Sequence, residues 1–187
     1  MLMLVPLFLT IAVARARGGA LRALATLPVR GGAFLATALV IQLLLYLPPL
    51  RGAPIAVRYG GGVYVAALGL ALVGALRNWR LGAAARVATL GLALNLTVIA
   101  ANGGYMPVNA AAMSTAQGAT TIHDIAAARR YANVHLASGS TRLVFLSDII
   151  PLQIPQGPGN VYSVGDVLLA AGVAALTYKA MRRPLAD

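Results

Sequence analysis

The chain has 187 residues, 59% of them hydrophobic and 10% charged, with a formal charge of +11. A water-facing surface is about 25–35% Asp, Glu, Lys and Arg, so this composition excludes an ordinary soluble globule and points to lipid as the solvent. Cysteine is absent, which excludes disulfides, thiol catalysis and cysteine metal sites. The bases punctuate the ends of apolar runs instead of forming one patch with interleaved aromatics, which argues against nucleic acid as a partner.

The first apolar run is Met1 to Ala14, followed by Arg15, Arg17, Arg22 and Arg30. Fourteen helical residues span about 21 Å, short of a hydrocarbon core of about 30 Å. Arg15 and Arg17 extend its reach by snorkelling. Ala12-Val13-Ala14 resembles a signal-peptide cleavage site, but the bases follow the run and none precedes it, so a retained helix is expected. Run two is Gly32 to Leu47, closed by Pro48-Pro49. Run three is Gly61 to Leu76, with Trp79 anchored between Arg77 and Arg80 at an interface. Run four is about Gly82 to Ala101, and run five about Val161 to Tyr178, followed by Lys179, Arg182 and Arg183.

The expected fold is therefore an all-α membrane protein, a single integral membrane domain over residues 1–187 with about five transmembrane helices. With the N-terminus outside and the C-terminus inside, ten bases flank the inner ends and five the outer segments. That distribution obeys the positive-inside rule. Residues 102–160 form the long outer loop between helices four and five. It opens on the turn signal Asn102-Gly103-Gly104. Ile122 to Leu136 reads as a short amphipathic helix, with Thr121 as N-cap and Asp124 three residues on. Thr141 to Leu146 suits a short strand or an interfacial segment. Pro151, Pro155, Gly157, Pro158 and Gly159 predict an irregular remainder.

The four acids are Asp124, Asp148, Asp166 and Asp187. Asp148 stands in an apolar stretch, and Asp166 in the first turns of the last helix. An ionisable group at membrane depth marks a functional hypothesis. Two adjacent carboxylates share one proton, so one is an acid while the other activates water, the chemistry of aspartic hydrolases. A structural role stands beside it: Ser163-x-x-Asp166 is a capping box, and Asp148 is expected to pair with Arg142 or to cap a turn. His123 and His135, twelve apart, share no helical face for a metal. Asn95 in run four is expected to bond between helices or to line a substrate path, and the glycines of the apolar runs to permit close helix packing.

Tyr162-Ser163-Val164-Gly165-Asp166 resembles the second catalytic motif of lipoprotein signal peptidases, an aromatic residue, Asn, an apolar residue, Ala and Asp opening the last helix. The resemblance implies a catalytic pair of Asp148 and Asp166 on the outer side. The sequence departs from that family's pattern at Ser163, which replaces an Asn, and around Asp148, where Phe145 and Ile149 replace Asn and Arg. A longer resemblance rests on Asn102-Gly103-Gly104-Tyr105-Met106-Pro107-Val108, Phe145 to Pro151 and Ser163 to Leu169, which are similar to an uncharacterised bacterial membrane family. It transfers no activity.

Two functions follow as expectations. The first is a non-catalytic accessory or structural subunit of a bacterial membrane assembly. The second is an aspartic membrane hydrolase cleaving a peptide or lipid-linked substrate at the outer interface through Asp148 and Asp166, with Asn102, Ser163, Tyr162 and Arg142 as support. No cofactor or metal is expected. The expected partners are the lipid bilayer and other membrane subunits, and the expected location is the bacterial inner membrane.

Overall fold

The computed structural model describes residues 4–47, 53–118, 134–154 and 157–183. Its apolar runs are helical: α1 (Leu4–Ala16), α3 (Gly32–Tyr46), α4 (Pro54–Arg77), α5 (Ala83–Ala101) and α7 (Val164–Met181). Two short helices join them, α2 (Arg22–Ala25) and α6 (Ala110–Gln117). Pro54 opens α4 at a position whose N–H needs no partner. Asn109 caps α6, its side-chain oxygen accepting from the Ala112 N–H at 2.9 Å.

Residues 58–77 of α4, together with α5 and α7, are long and apolar enough to cross a membrane, while α1 and α3 are shorter apolar helices. The radial distribution is that of a lipid-solvated bundle. Large side chains such as Phe8, Leu39, Leu43 and Leu90 are exposed. Thr89, Asn95, Thr177 and small residues fill the inside. Lipid gives no hydrophobic drive between helices, so close backbone approach and hydrogen bonds hold them.

The helices pack as a row, α3 against α4, α4 against α5, α5 against α7, and α7 against α1. The α5–α7 contact depends on glycine: a Cβ on Gly172 would stand 2.7 Å from the Ala84 carbonyl oxygen and closer still to Ala88. At one end of the row the Asn78 side chain clasps Arg30, accepting from its N–H at 2.9 Å and donating to its carbonyl at 2.7 Å. At the same end Ala20 N–H donates to Met181 O at 2.9 Å, and Arg17 reaches the Tyr178 hydroxyl at 3.3 Å.

The opposite end carries a small mixed cap, and here the structure corrects four expectations. Val134–Leu136, expected to end a helix beginning at Ile122, is strand β2, paired in parallel with β1 (Met106–Val108). The Tyr105 ring stacks on His135 at 3.9 Å and holds that pairing. Thr121, His123, Asp124 and the remainder of that expected helix lie outside the described residues. Residues 141–146, expected as a strand or an interfacial segment, form no strand; Val144–Leu146 is a 3-10 turn that places Leu143 and Leu146 on the helical core. The Pro/Gly-rich stretch is not irregular but an antiparallel hairpin of β3 (Ile150–Ile154) and β4 (Gly157–Tyr162). Prolines are tolerated there because each strand of a two-stranded sheet has a free edge. The last helix accordingly starts at Val164, not Val161. The turn at Asn102-Gly103-Gly104 forms as expected, with both glycines at positive φ, 72° and 92°.

Candidate functional site

Backbone pairing brings the two aspartates into one neighbourhood. Asp148 follows the 3-10 turn and lies alongside Val108 in a parallel bridge. Its N–H donates to Pro107 O and its carbonyl accepts from Asn109 N–H, each at 2.9 Å. One residue on, Ile149 N–H donates to Tyr162 O at 3.1 Å, and Ile150 is registered opposite Tyr162. The Ser147–Ile149 segment thus joins β1 on one side to the end of β4 on the other. Tyr162 leads directly into Ser163, the N-cap of α7, and Asp166 is the third residue of that helix.

Asp166 accepts hydrogen bonds at both of its carboxyl oxygens. Its Oδ1 accepts from Asn95 Nδ2 on α5 at 2.7 Å and its Oδ2 from the Ser163 N–H at 3.2 Å. The Ser163 hydroxyl accepts from the Asp166 N–H and donates to Asn95 Oδ1, both at 2.9 Å. The capping box is therefore real and is extended to the neighbouring helix by one asparagine. Gly165 makes room for it, since a Cβ there would collide with Asn95. The positive end of the α7 dipole favours the anion as well.

Asp148 has the opposite environment. Its Oδ1 is buried and has no hydrogen-bond partner among the described residues, as is the hydroxyl of fully buried Ser147. Burial, and then the negative charge of Asp166, push the Asp148 carboxyl up to about 8. An unpartnered buried oxygen is tolerable on a neutral acid and costly on a carboxylate. At neutral pH Asp148 therefore holds its proton. The Tyr162 phenol lies within the field of both: burial raises it, a hydrogen bond with Asn160 lowers it, and the charges of Asp166 and Asp148 raise it further.

Asn102 and Arg142 do meet, but through the Arg142 backbone. Asn102 Oδ1 accepts from the Arg142 N–H and Asn102 Nδ2 donates to its carbonyl, each at 2.9 Å. The Arg142 side chain is exposed, and the link it makes to the site is this backbone clasp ahead of the turn. Ser163 and Tyr162 touch the pair or its field. Asn95 is a partner of Asp166 that the motif did not include. Its signal in the sequence was a lone carboxamide inside an apolar helix, and the interhelical bond expected of it is present. Ser147 and Asn160 carried no such signal.

These features define an integral-membrane-type helical protein with a carboxylate pair where its cap meets its helices. The chain belongs to a family of unknown function (DUF5317), which it matches over residues 26–178. No curated protein and no solved structure gives a significant match.

Proposed function

We propose that this protein is an aspartic membrane hydrolase, with Asp166 as general base and Asp148 as general acid. The observation that carries the reading is the unequal pair: a buried carboxyl raised to about 8 beside one supplied with anion-binding donors. Environments that push two neighbouring carboxyls apart assign the acid and the base. In the reaction, Asp166 takes a proton from water as the hydroxyl attacks the carbonyl carbon of an amide or ester. Asp148 passes its proton to the carbonyl oxygen. On collapse the bond to the leaving nitrogen or oxygen breaks, Asp166 gives that atom the proton it took from water, and Asp148 recovers its proton from the hydroxyl that becomes the product carbonyl.

The resemblance to lipoprotein signal peptidases around Tyr162 to Asp166 supports the same assignment. We place the protein in a bacterial inner membrane with five crossings, N-terminus outside, so that the carboxylates face the outer leaflet. The ten inner-flank bases support this orientation. Tilt and local thinning accommodate the short α1 and α3.

The test uses the purified protein in liposomes with a detergent extract of its host membranes, in water enriched in oxygen-18. A hydrolase adds one heavy oxygen to a product carboxyl, read by mass spectrometry. Asp148→Asn and Asp166→Asn should each remove that product while the protein still inserts. Products that persist unchanged in both variants refute the assignment. One observation favours a second reading, an accessory subunit: capping box and Asn95 already give Asp166 a structural role. In that case pull-down from native membranes recovers a stoichiometric partner, and neither variant alters any product.

A further inference from the structure

The turn preceding Asp148 has its apolar side chains on both faces. Leu143 and Leu146 point inward, onto the cluster built from Leu68, Leu92, Val98, Ile99 and Met106. Val144 and Phe145, between them, are 44% and 66% exposed. The conformation is held against strain, since Leu143 adopts a left-handed φ of 54°, costly for a residue with a Cβ. The Asn102 clasp on Arg142 fixes the residue just before it. On β3, alternation puts Ile150 and Leu152 on one face, and these are 39% and 47% exposed. Gln153, on the other face, donates to Thr115 O of α6 at 2.8 Å.

Depth decides what meets these side chains. Val98 and Ile99 lie in the last turns of α5, a helix apolar enough to cross a membrane. A turn whose inward residues pack there stands at the end of that helix, not above it in solvent. Its outward residues continue the lipid-facing surface of the bundle. Arg142, exposed one residue before Leu143, has the reach to hold its guanidinium at the headgroups above them.

We propose that Val144, Phe145, Ile150 and Leu152 are seated among the acyl chains of the adjoining leaflet, which brings lipid to the edge of the Asp148 site. A consequence, which rests on the hydrolase reading, concerns the substrate. It is an amphiphile that diffuses within the leaflet and presents its scissile bond at headgroup depth.

Trp79 is the chain's one tryptophan, so Trp79→Phe combined with Phe145→Trp gives a single reporter. In vesicles of phosphatidylethanolamine and phosphatidylglycerol, its emission should be blue-shifted. Nitroxides on the upper acyl chain should quench it, and aqueous iodide should not. Quenching by iodide alone, or shielding from both quenchers as in a protein interface, overturns the proposal. Phe145→Cys carrying a nitroxide, unique because the chain has no other cysteine, gives a second reading. Its collisions should be more frequent with oxygen than with a water-soluble nickel chelate, and the reverse overturns the seating. Adding Asp166→Asn to either reporter should leave depth unchanged, which separates a failure of seating from a failure of hydrolysis.

Discussion

Asp148 is the residue whose titration reports on the whole site. Its folded value of about 8 lies above the ordinary 3.8. Between those limits the folded state binds more proton than the unfolded one, so stability falls as pH rises. The contribution is fully present below pH 3.8 and lost once pH passes 8. The span corresponds to at most about 6 kcal/mol. Asp148→Asn removes the titration, so thermal unfolding in detergent should lose this slope, and the variant should be the more stable protein at pH 9. A wild-type slope retained in Asp148→Asn places the titrating group elsewhere. If the proposed hydrolysis holds, activity has the matching limb: the acid form of Asp148 donates the proton, so kcat/KM should decline as pH rises through about 8.

Among the elements, α5 and α7 fix Asp166, because Asn95 and Asp166 stand on facing helices. Their approach rests on Gly172, where a Cβ would meet Ala84 O at 2.7 Å and the Ala88 backbone nearer still. Gly69 on α4 has nothing within 4 Å of an added Cβ. The two substitutions should therefore differ in sign. Gly172→Ala should destabilise by about 1–3 kcal/mol through overpacking. Gly69→Ala should be neutral or stabilise by up to about 1 kcal/mol, since alanine is the better helix former. Unfolding midpoints in one detergent compare them directly; equal losses at both sites would show that α5 and α7 are not in close contact.

The helices were legible because apolar runs closed by Gly, Pro and Arg leave few alternatives for the backbone. The cap is not legible in the same way. Val134–Leu136 reads as the end of a helix, yet its partner β1 lies some thirty residues upstream, and no local pattern encodes a parallel pairing across such a distance. The β3–β4 hairpin was hidden by prolines, which read as breakers until both strands prove to have free edges. Asp166 was visible through its capping box. The isolation of Asp148, which distinguishes it from Asp166, depends on packing around it and on no motif.

At the scale of the molecule, charge and chemistry occupy opposite ends. The clasp of Asn78 on Arg30 and the contact of Arg17 with Tyr178 gather the bases of α1, α4 and α7 at one end. The carboxylate pair and the β cap stand at the other. If the basic end is cytosolic, the cap is translocated and Asp148 stands on the outer-leaflet side. The chain has no cysteine, so single substitutions at exposed positions test this without background. Ser140→Cys, in the cap, should react with a membrane-impermeant maleimide on intact cells. Arg183→Cys, beyond α7, should react only after permeabilisation. The inverse pattern would put the pair in the cytosol, where an outer-leaflet substrate has no route to it. Labelling of both positions on intact cells would mean that α7 does not cross, since Ser140 and Arg183 lie on either side of it. The two labels thus test the orientation independently of any activity.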